Sequence, residues 1–433
     1  MNNAETIGLV GSVPSELKLI ADLDSLELDR NQLTNMDGVR ELTQVRKLTL
    51  GYNKLSQDIP DWFGELDQLQ ILGLSDNEFT STIPPAWTNM TKLTTLLLDN
   101  NKLSGQVSTL NNITSLRELF LEGNYFTGEI TNGFLQDLHS LEVLDLSNNY
   151  LEGHLSRALL RKPNLKYLDL NHNSLEGAMP TDIPHTTTLT SLTLHHNFFE
   201  GDVPSTIRNL KNLRRLDISH NRLDGTLPDS LRELTNLEYL FLAGNNHIMP
   251  GPLPKFVRPL SNLKELSFAS SARTGIIPHW IGSLTNLALL DLGSNRFNST
   301  IPALIGHLTN MEYLLLNRNE LTGPIPRELG HLHKLKLLLL DQNSLTGSVD
   351  EATVCALKPP ILMADCDETP CSCCSKCCHD IEGTNDLDAG NSCSDSTILT
   401  NYDPMWENQF QRPAFNYTAD VVIFSGAASQ INP

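Results

Sequence analysis

Leucine and asparagine recur along most of this chain in one order, L-x-L-x-x-N-x-L, in which apolar and polar positions alternate before the asparagine. Residues 72–77 and 192–197 show this order, and nine of the thirteen intervals between successive asparagine positions are 24 residues long. The alternation predicts a short strand in each unit. The fixed period predicts a stack of similar turns that bury one continuous core.

The asparagines are predicted to hold adjacent turns together. Each one ends a short strand where the chain bends, and a side-chain amide offers both donors and an acceptor to backbone groups that the bend leaves buried. An unpaired buried group costs roughly 1–3 kcal/mol. Ser271 stands at the one position of the series that lacks asparagine. The predicted asparagine ladder consists of Asn31, Asn53, Asn77, Asn101, Asn124, Asn149, Asn173, Asn197, Asn221, Asn245, Asn295, Asn319 and Asn343.

A second phrase, L-x-G-x-I-P, follows several of the asparagines, as in residues 199–204 and 321–326. With the asparagine period, it resembles the leucine-rich repeat family, and more closely the plant-type subclass, over about residues 7–350. The resemblance implies an α/β fold class: a right-handed, curved solenoid with short parallel strands on the concave face and 3₁₀ or extended segments on the convex side. Recurrent glycine and proline disfavour the long helices of a helical repeat.

The chain is predicted to have three regions. They are a solenoid at 1–350, with about 14 repeats of which the N-terminal one is incomplete, a cysteine-rich capping region at 351–395, and an extension with short strands at 396–433. The incomplete first repeat favours a truncated N-terminus over an improvised cap, because an uncapped stack exposes its core.

All eight cysteines lie in the predicted cap, where a clustered, even set favours disulfides. Their spacing fixes no pairing, and a soft metal bound through the C-x-x-C step of Cys374 and Cys377, or reduced thiols, are the alternatives. The disulfide candidates are Cys355, Cys366, Cys371, Cys373, Cys374, Cys377, Cys378 and Cys393.

Composition and short motifs restrict the location and the partners. The formal net charge of −20 disfavours nucleic acid and favours cationic partners. No run approaches the roughly 20 apolar residues that span a bilayer, and the first residues lack the pattern of a secretory signal. The cysteines favour an extracellular or cell-surface location, with the cytoplasm as the alternative. Acceptor motifs for N-glycosylation occur at Asn89, Asn112, Asn298 and Asn416.

The residues that alternate with the strand leucines are predicted to point out of the concave face and to contact a ligand. His172, His196 and His220 occupy equivalent positions in successive turns and are expected to form a column, because neighbouring strands lie about 4.8 Å apart. This column is either a solvated polar row, a pH-sensitive patch or a zinc site. The candidate ligand-binding residues are Phe120, Asp145, Tyr167, Asp169, His172, His195, His196, Asp217, His220, Tyr239, Phe241 and Tyr313.

No phosphate-binding loop, kinase catalytic loop or nucleophile elbow is present, so neither catalysis nor a cofactor or metal is expected. The favoured function is recognition of a protein or peptide through the concave face, as the ectodomain or a fragment of a receptor-like protein. The alternatives are a secreted binder that resembles polygalacturonase-inhibiting proteins and an intracellular scaffold. Some peptide receptors with this fold use paired arginines to hold a peptide carboxylate, and no such pair is placed on this face.

Overall fold

The computed structural model describes residues 8–20, 22–130, 137–184, 188–349, 353–366 and 369–378. In these residues the backbone runs in successive coils, each of which contributes one short strand to a long parallel sheet. The fold expected from the repeat is therefore confirmed.

The long sheet, called the main sheet below, contains sixteen strands in the described part of the chain. Neighbouring strands pair in parallel with leucine facing leucine, as Leu168 faces Leu192, so each turn repeats the register of the last. The strands are Ser25–Glu27, Lys47–Thr49, Ile71–Gly73, Thr95–Leu97, Glu118–Phe120, Val143–Asp145, Tyr167–Asp169, Ser191–Thr193, Arg215–Asp217, Tyr239–Phe241, Glu265–Ser267, Leu289–Asp291, Tyr313–Leu315, Leu337–Leu339, Ile361–Asp365 and Lys376–Cys378.

The ladder asparagines join each turn to the one before it. The Nδ2 of Asn197 donates to the carbonyl oxygens of Leu194 and His195 in its own turn, at 3.2 Å each. It also donates to Leu170 of the preceding turn at 2.9 Å, and its Oδ1 accepts the N–H of Leu175 at 3.0 Å. With 4% of its surface exposed, this amide supplies partners to backbone groups that water cannot reach.

Two turns depart from this arrangement. The hydroxyl of Ser271 donates to the carbonyl of Phe268, which takes over one of the amide's bonds, and the Arg273 side chain donates to the carbonyl of Ser271 at 2.8 Å. In the turn before, Oδ1 of Asn245 has no hydrogen-bond partner among the described residues. The ladder is thus weakest beside the 26-residue interval that separates these two positions.

A second parallel sheet forms just after the asparagines of six consecutive turns. Its strands alternate buried and exposed side chains, with Phe126, Leu151, Leu175 and Phe199 on the core side. We call it the second sheet; its strands are Ser104–Gly105, Tyr125–Glu129, Tyr150–His154, Ser174–Ala178, Phe198–Gly201 and Arg222–Leu223.

Other turns carry a two-stranded parallel pair at the same place. The pairs are Val10–Ser12 with Gln32–Asn35, Thr274–Gly275 with Arg296–Phe297, and Thr322–Pro324 with Ser344–Thr346.

Short helices return the chain to the next strand. Most follow a proline with extended backbone, as Pro204 precedes Ser205–Asn209, because the proline ring fixes φ at a value that this extended N-cap position allows. The 3₁₀ helices are Ser15–Leu19, Asp37–Val39, Asp61–Glu65, Pro85–Asn89, Val107–Asn112, Ser205–Asn209, Asp229–Glu233, Lys255–Val257, His279–Ser283, Ala303–His307, Arg327–His331 and Cys355–Leu357, and the one α-helical turn of the described residues is Arg157–Leu160.

The core is one continuous column of leucines between the strands and these helices. Leu192 and Leu194 are typical, since both have no exposed surface. Near the N-terminal end, the rings of Phe63 and Trp87 pack edge to face with centroids 5.6 Å apart. Every turn therefore depends on its neighbours for burial, as expected for a solenoid.

The described part of the cysteine-rich region, residues 353–366 and 369–378, continues the main sheet. The strand Ile361–Asp365 pairs with Leu337–Leu339 and then with Lys376–Cys378. Disulfides join Cys355 to Cys373 and Cys371 to Cys374, and Cys366 is also disulfide-bonded. The predicted cap is thus a disulfide-linked end of the stack.

Some predictions lie outside the described residues: Cys393, Asn416, the 396–433 extension and the first seven residues of the incomplete first repeat. The side chains of Cys377 and Cys378, two of the disulfide candidates, also lie outside the described part of the structure.

Candidate ligand-binding face

The candidate residues lie on the side of the main sheet away from the leucine core, or at the ends of its strands. The register aligns them: Asp145 pairs with Asp169, and Tyr167 pairs with Ser191. Further along the sheet, Arg215 pairs with Tyr239. The side chains therefore form rows across the strands. We call this surface the main face.

The sequence predicts that the candidate side chains point into solvent, but half of them are almost fully buried. His172, His196, Phe120, Tyr239 and Tyr313 are partly buried, and His220 is exposed. Those that are almost fully buried are Asp145, Tyr167, Asp169, His195, Asp217 and Phe241. The strand spacing of about 4.8 Å is narrower than most of these side chains, so neighbours in one row cover each other.

The buried aspartates shape the ends of their own strands. Oδ1 of Asp145 accepts hydrogen bonds from both the backbone N–H and the hydroxyl of Ser147, at 3.0 and 2.7 Å. Asp217 makes the same pair of bonds to Ser219, at 3.1 and 2.7 Å. These aspartates thus have a structural role within the repeat that the sequence reasoning did not assign.

Asp145 and Asp169 face each other across two strands with little water around them. Burial raises the pKa of Asp145 above the usual aspartate range, and the nearby Asp169 carboxylate adds to this. Burial also raises the pKa of Asp169, against hydrogen bonds from Asn171 and Tyr167 and the charge of Arg215. The two carboxyls therefore resist carrying full negative charge together.

Arg215 and Glu265 form a second polar group on this face, one that the sequence reasoning missed. The guanidinium of Arg215 lies 5.7 Å from the ring centroids of both Tyr239 and Phe241. Burial raises the pKa of Glu265 to about 8, against the charges of Arg215 and Lys264, and its Oε2 has no hydrogen-bond partner among the described residues. Both lie six places before the ladder position of their turn, so the period alone would have indicated them.

The predicted histidine column is present. Ring centroids are 4.2 Å apart between His172 and His196 and 4.3 Å apart between His196 and His220. Beside the column, Nδ1 of His195 lies 3.3 Å from Oδ2 of Asp217. No group of three or more potential metal ligands occurs in the part of the chain that the structure describes.

The backbone explains why histidine occurs there. His172, His196 and His220 have φ between 48° and 50°, and the residue before each other ladder position, such as Asn148 or Gly244, also has a positive φ. Asparagine, aspartate and histidine tolerate this left-handed region better than most residues. The recurrence of Asn, Gly and His at this position was a sequence signal for it.

A groove of about 690 Å³ runs along the flank where the main strands begin. There Glu238 lies between Arg214 and Lys264, with the Lys264 contact at 2.7 Å. In the same flank Asn236 donates to the carbonyl of Lys211 at 2.8 Å, and the equivalent Asn262 repeats this bond one turn later. The flank is a second ladder, of ion pairs and amides, that the sequence reasoning did not identify.

Two further features bear on the location of the chain. The glycosylation candidates Asn89, Asn112 and Asn298 are exposed. No helix among the described residues combines the length and apolar character that crossing a bilayer requires.

Comparison with known proteins identifies the repeat. A family model described as "Leucine rich repeat" matches residues 21–79, 43–103, 114–175, 187–248 and 285–345. No curated protein matches the chain.

Among solved structures, the chain is similar to a plant peptide hormone receptor, RGFR1 in complex with RGF2, with 33% identity and a TM-score of 0.68 over 79% of this chain and 59% of that one. It is similar to PEPR1 in the PEPR1-AtPEP1 structure, with 30% identity and a TM-score of 0.71 over 84% and 54%. It also resembles the Leptospira interrogans protein LIC12759, with 29% identity and a TM-score of 0.60 over 78% and 89%. The chain thus spans little more than half the length of the two plant structures.

Proposed function

The chain belongs to the leucine-rich repeat family, and we propose that it binds a protein or peptide ligand on its main face, the concave side of the solenoid, as the ligand-recognition part of a receptor-like protein. The observation that carries the proposal is the continuous main sheet, whose sixteen described strands pair in parallel. This pairing aligns side chains from equivalent positions of successive turns in rows. Such a surface suits an elongated ligand that contacts several turns.

The chemistry of the main face supports a polar ligand with aromatic or cationic groups. Tyr239 and Tyr313 are only partly buried, and tyrosines are frequent anchors in interfaces. The chain's net charge of −20 favours the approach of a cationic group. Two of the plant structures that the chain resembles are complexes, RGFR1 with RGF2 and PEPR1-AtPEP1.

A non-catalytic role at the cell surface or outside the cell completes the proposal. Disulfides form at Cys355, Cys366, Cys371, Cys373 and Cys374, and disulfides persist in oxidising compartments. In the proposed role the chain needs no cofactor, since recognition depends on shape and charge along the sheet.

The test is selection of binders from a library of random dodecapeptides, followed by affinity measurements on folded variants. We expect the double variant Tyr239→Ala/Tyr313→Ala to weaken the selected peptides about tenfold or more, because each anchor residue contributes at least about 1 kcal/mol. The control is Leu304→Ala, which truncates an exposed apolar side chain on the 3₁₀ helix Ala303–His307, outside both sheets, and should change affinity less than about twofold. Loss of binding in the control but not in the double variant would contradict the proposal.

A further inference from the structure

The outer side of the second sheet exposes aromatic rings, unlike most of the molecule. Tyr125 is 48% exposed, Tyr150 is 58% exposed and Phe198 is 40% exposed. The two tyrosine rings stack with centroids 6.0 Å apart. This surface, called the aromatic–acidic face below, consists of Tyr125, Glu129, Tyr150, Glu152, Glu176, Phe198 and Glu200.

Two of its glutamates face each other, and neither has an ion pair among the described residues. Glu129 and Glu152 are paired positions on adjacent strands, where like charges are destabilising. Among the described residues, no lysine or arginine forms an ion pair with any of the four glutamates of this face. On the flank of the main sheet, by contrast, Glu142 is bridged by both Arg117 and Lys166. The same repeat therefore neutralises the glutamates of the flank but leaves Glu129 and Glu152 without an ion pair among the described residues, whereas Glu176 and Glu200 lie in register with His154 and Arg222.

One arginine of the chain already shows what this face accepts. The guanidinium of Arg222 lies 4.3 Å from the ring centroid of Phe198, and Arg222 pairs in register with Glu200. An aromatic ring beside a carboxylate is a favourable site for a guanidinium or an ammonium group. Tyr150 and Glu152 repeat the spacing of Phe198 and Glu200 along their strand, and Tyr125 stacks on Tyr150. No cation of the described residues lies over either tyrosine ring.

We propose that the aromatic–acidic face is a second docking surface, which binds an extended, basic segment of a partner protein. Its arginine or lysine side chains would stack on the rings of Tyr125 and Tyr150 and pair with the glutamates. From the strand of Tyr125 to that of Phe198 is about 14 Å at 4.8 Å per strand, which an extended segment of roughly four to five residues spans. The chain's net charge of −20 favours the approach of such a partner.

Charge alone attracts a basic peptide to any acidic protein, so the test compares variants of equal charge. The probe is a fluorescent Arg-Gly-Arg-Gly-Arg-Gly peptide, and its citrulline counterpart serves as a neutral probe of the same shape. The test variant is Glu152→Gln/Glu176→Gln/Glu200→Gln. The matched control, Asp61→Asn/Asp67→Asn/Glu320→Gln, removes three exposed charges elsewhere. Circular dichroism verifies that both variants are folded.

We expect the test variant to weaken binding of the arginine peptide roughly tenfold, about twofold for each exposed pair, and the control to change it less than about twofold. Tyr125→Ser/Tyr150→Ser should weaken binding severalfold with the charge unchanged, as loss of exposed cation–π contacts predicts. The main-face variant Tyr239→Ala/Tyr313→Ala should bind the arginine peptide normally, so this result is separate from that of the proposed function. Equal losses in the two charge variants, or citrulline binding as strong as arginine binding, would overturn the inference.

Discussion

Replacing Asn197 with alanine tests how the ladder stabilises the stack. The substitution removes four hydrogen bonds, but three of the backbone partners keep another donor. The Leu170 carbonyl still accepts from Asn173, and the Leu194 carbonyl still accepts from Asn221. The carbonyl of His195 likewise still accepts the N–H of His172.

Only the N–H of Leu175 is left without its partner. An orphaned buried N–H costs about 1–3 kcal/mol, and the space left by a small amide adds to this. We therefore expect Asn197→Ala to lower the free energy of unfolding by about 2–3 kcal/mol. Urea unfolding measures this, and hydrogen exchange at the Leu175 amide should show a matching local loss of protection.

Asn197→Asp separates hydrogen bonding from burial of a polar group. One carboxylate oxygen can still accept the N–H of Leu175. The other oxygen takes the place of Nδ2, which donates to three carbonyl oxygens within 3.2 Å, so it would face three acceptors and repel them. At pH 7 the aspartate variant should be less stable than the alanine variant, and the difference should shrink as acid protonates the carboxyl.

The control is Asn236→Ala, which removes one exposed bond to Lys211 and should cost no more than about 1 kcal/mol. The reasoning is refuted if Asn197→Ala costs no more than this control, or if the aspartate variant is as stable as the alanine variant at pH 7.

Three further outcomes follow from the structure. Burial raises the pKa of Glu265 from 4.5 to about 8. The folded chain should therefore lose stability as the pH rises from about 4.5 to 8, because the unfolded chain releases this proton at lower pH than the folded chain does. Urea unfolding over this range should show a smaller decline in stability for Glu265→Gln than for the wild type. Gly64→Ala places a Cβ 2.2 Å from the Ala86 carbonyl oxygen, whereas in Gly275→Ala the Cβ meets nothing within 4 Å and only the φ of +78° is unfavourable. Thermal unfolding should therefore show a loss of stability of at least about 2 kcal/mol for Gly64→Ala and about 1 kcal/mol for Gly275→Ala. Equal losses would contradict the close packing at Gly64. Cys355→Ala/Cys373→Ala removes a disulfide between residues 18 positions apart and should lower the free energy of unfolding by about 3 kcal/mol. Limited proteolysis should then cut first near the C-terminal end of the stack. Unchanged resistance to proteolysis would contradict the role of this disulfide.

The repeat itself could be predicted because one chemical requirement recurs in every turn. A buried bend needs an amide, so the asparagine positions located the strands. Ser271 stood out as the exception, where a hydroxyl replaces only one of the amide's bonds. Alternation also placed Asp145 and Tyr239 on the correct side of the sheet. These inferences need only the spacing of residues along the chain.

What could not be predicted depends on distances between turns. Alternation assigns a residue to a face but does not reveal that neighbours cover it, as they cover Tyr167 and Phe241. Nor does it reveal that a glutamate is bridged on one flank, as Glu238 is, and unpaired elsewhere, as Glu152 is. These properties arise from side-chain packing between turns that lie far apart in sequence.

Photocross-linking from single sites would decide most directly whether the main sheet is the ligand-binding surface. A photoreactive benzoylphenylalanine would replace Tyr239 on the main face or, separately, the exposed Leu304 on the 3₁₀ helix Ala303–His307, and each chain would be irradiated with a peptide selected on the wild type. We expect covalent capture from position 239 and none from position 304. Capture from position 304 alone would contradict ligand binding on the main face.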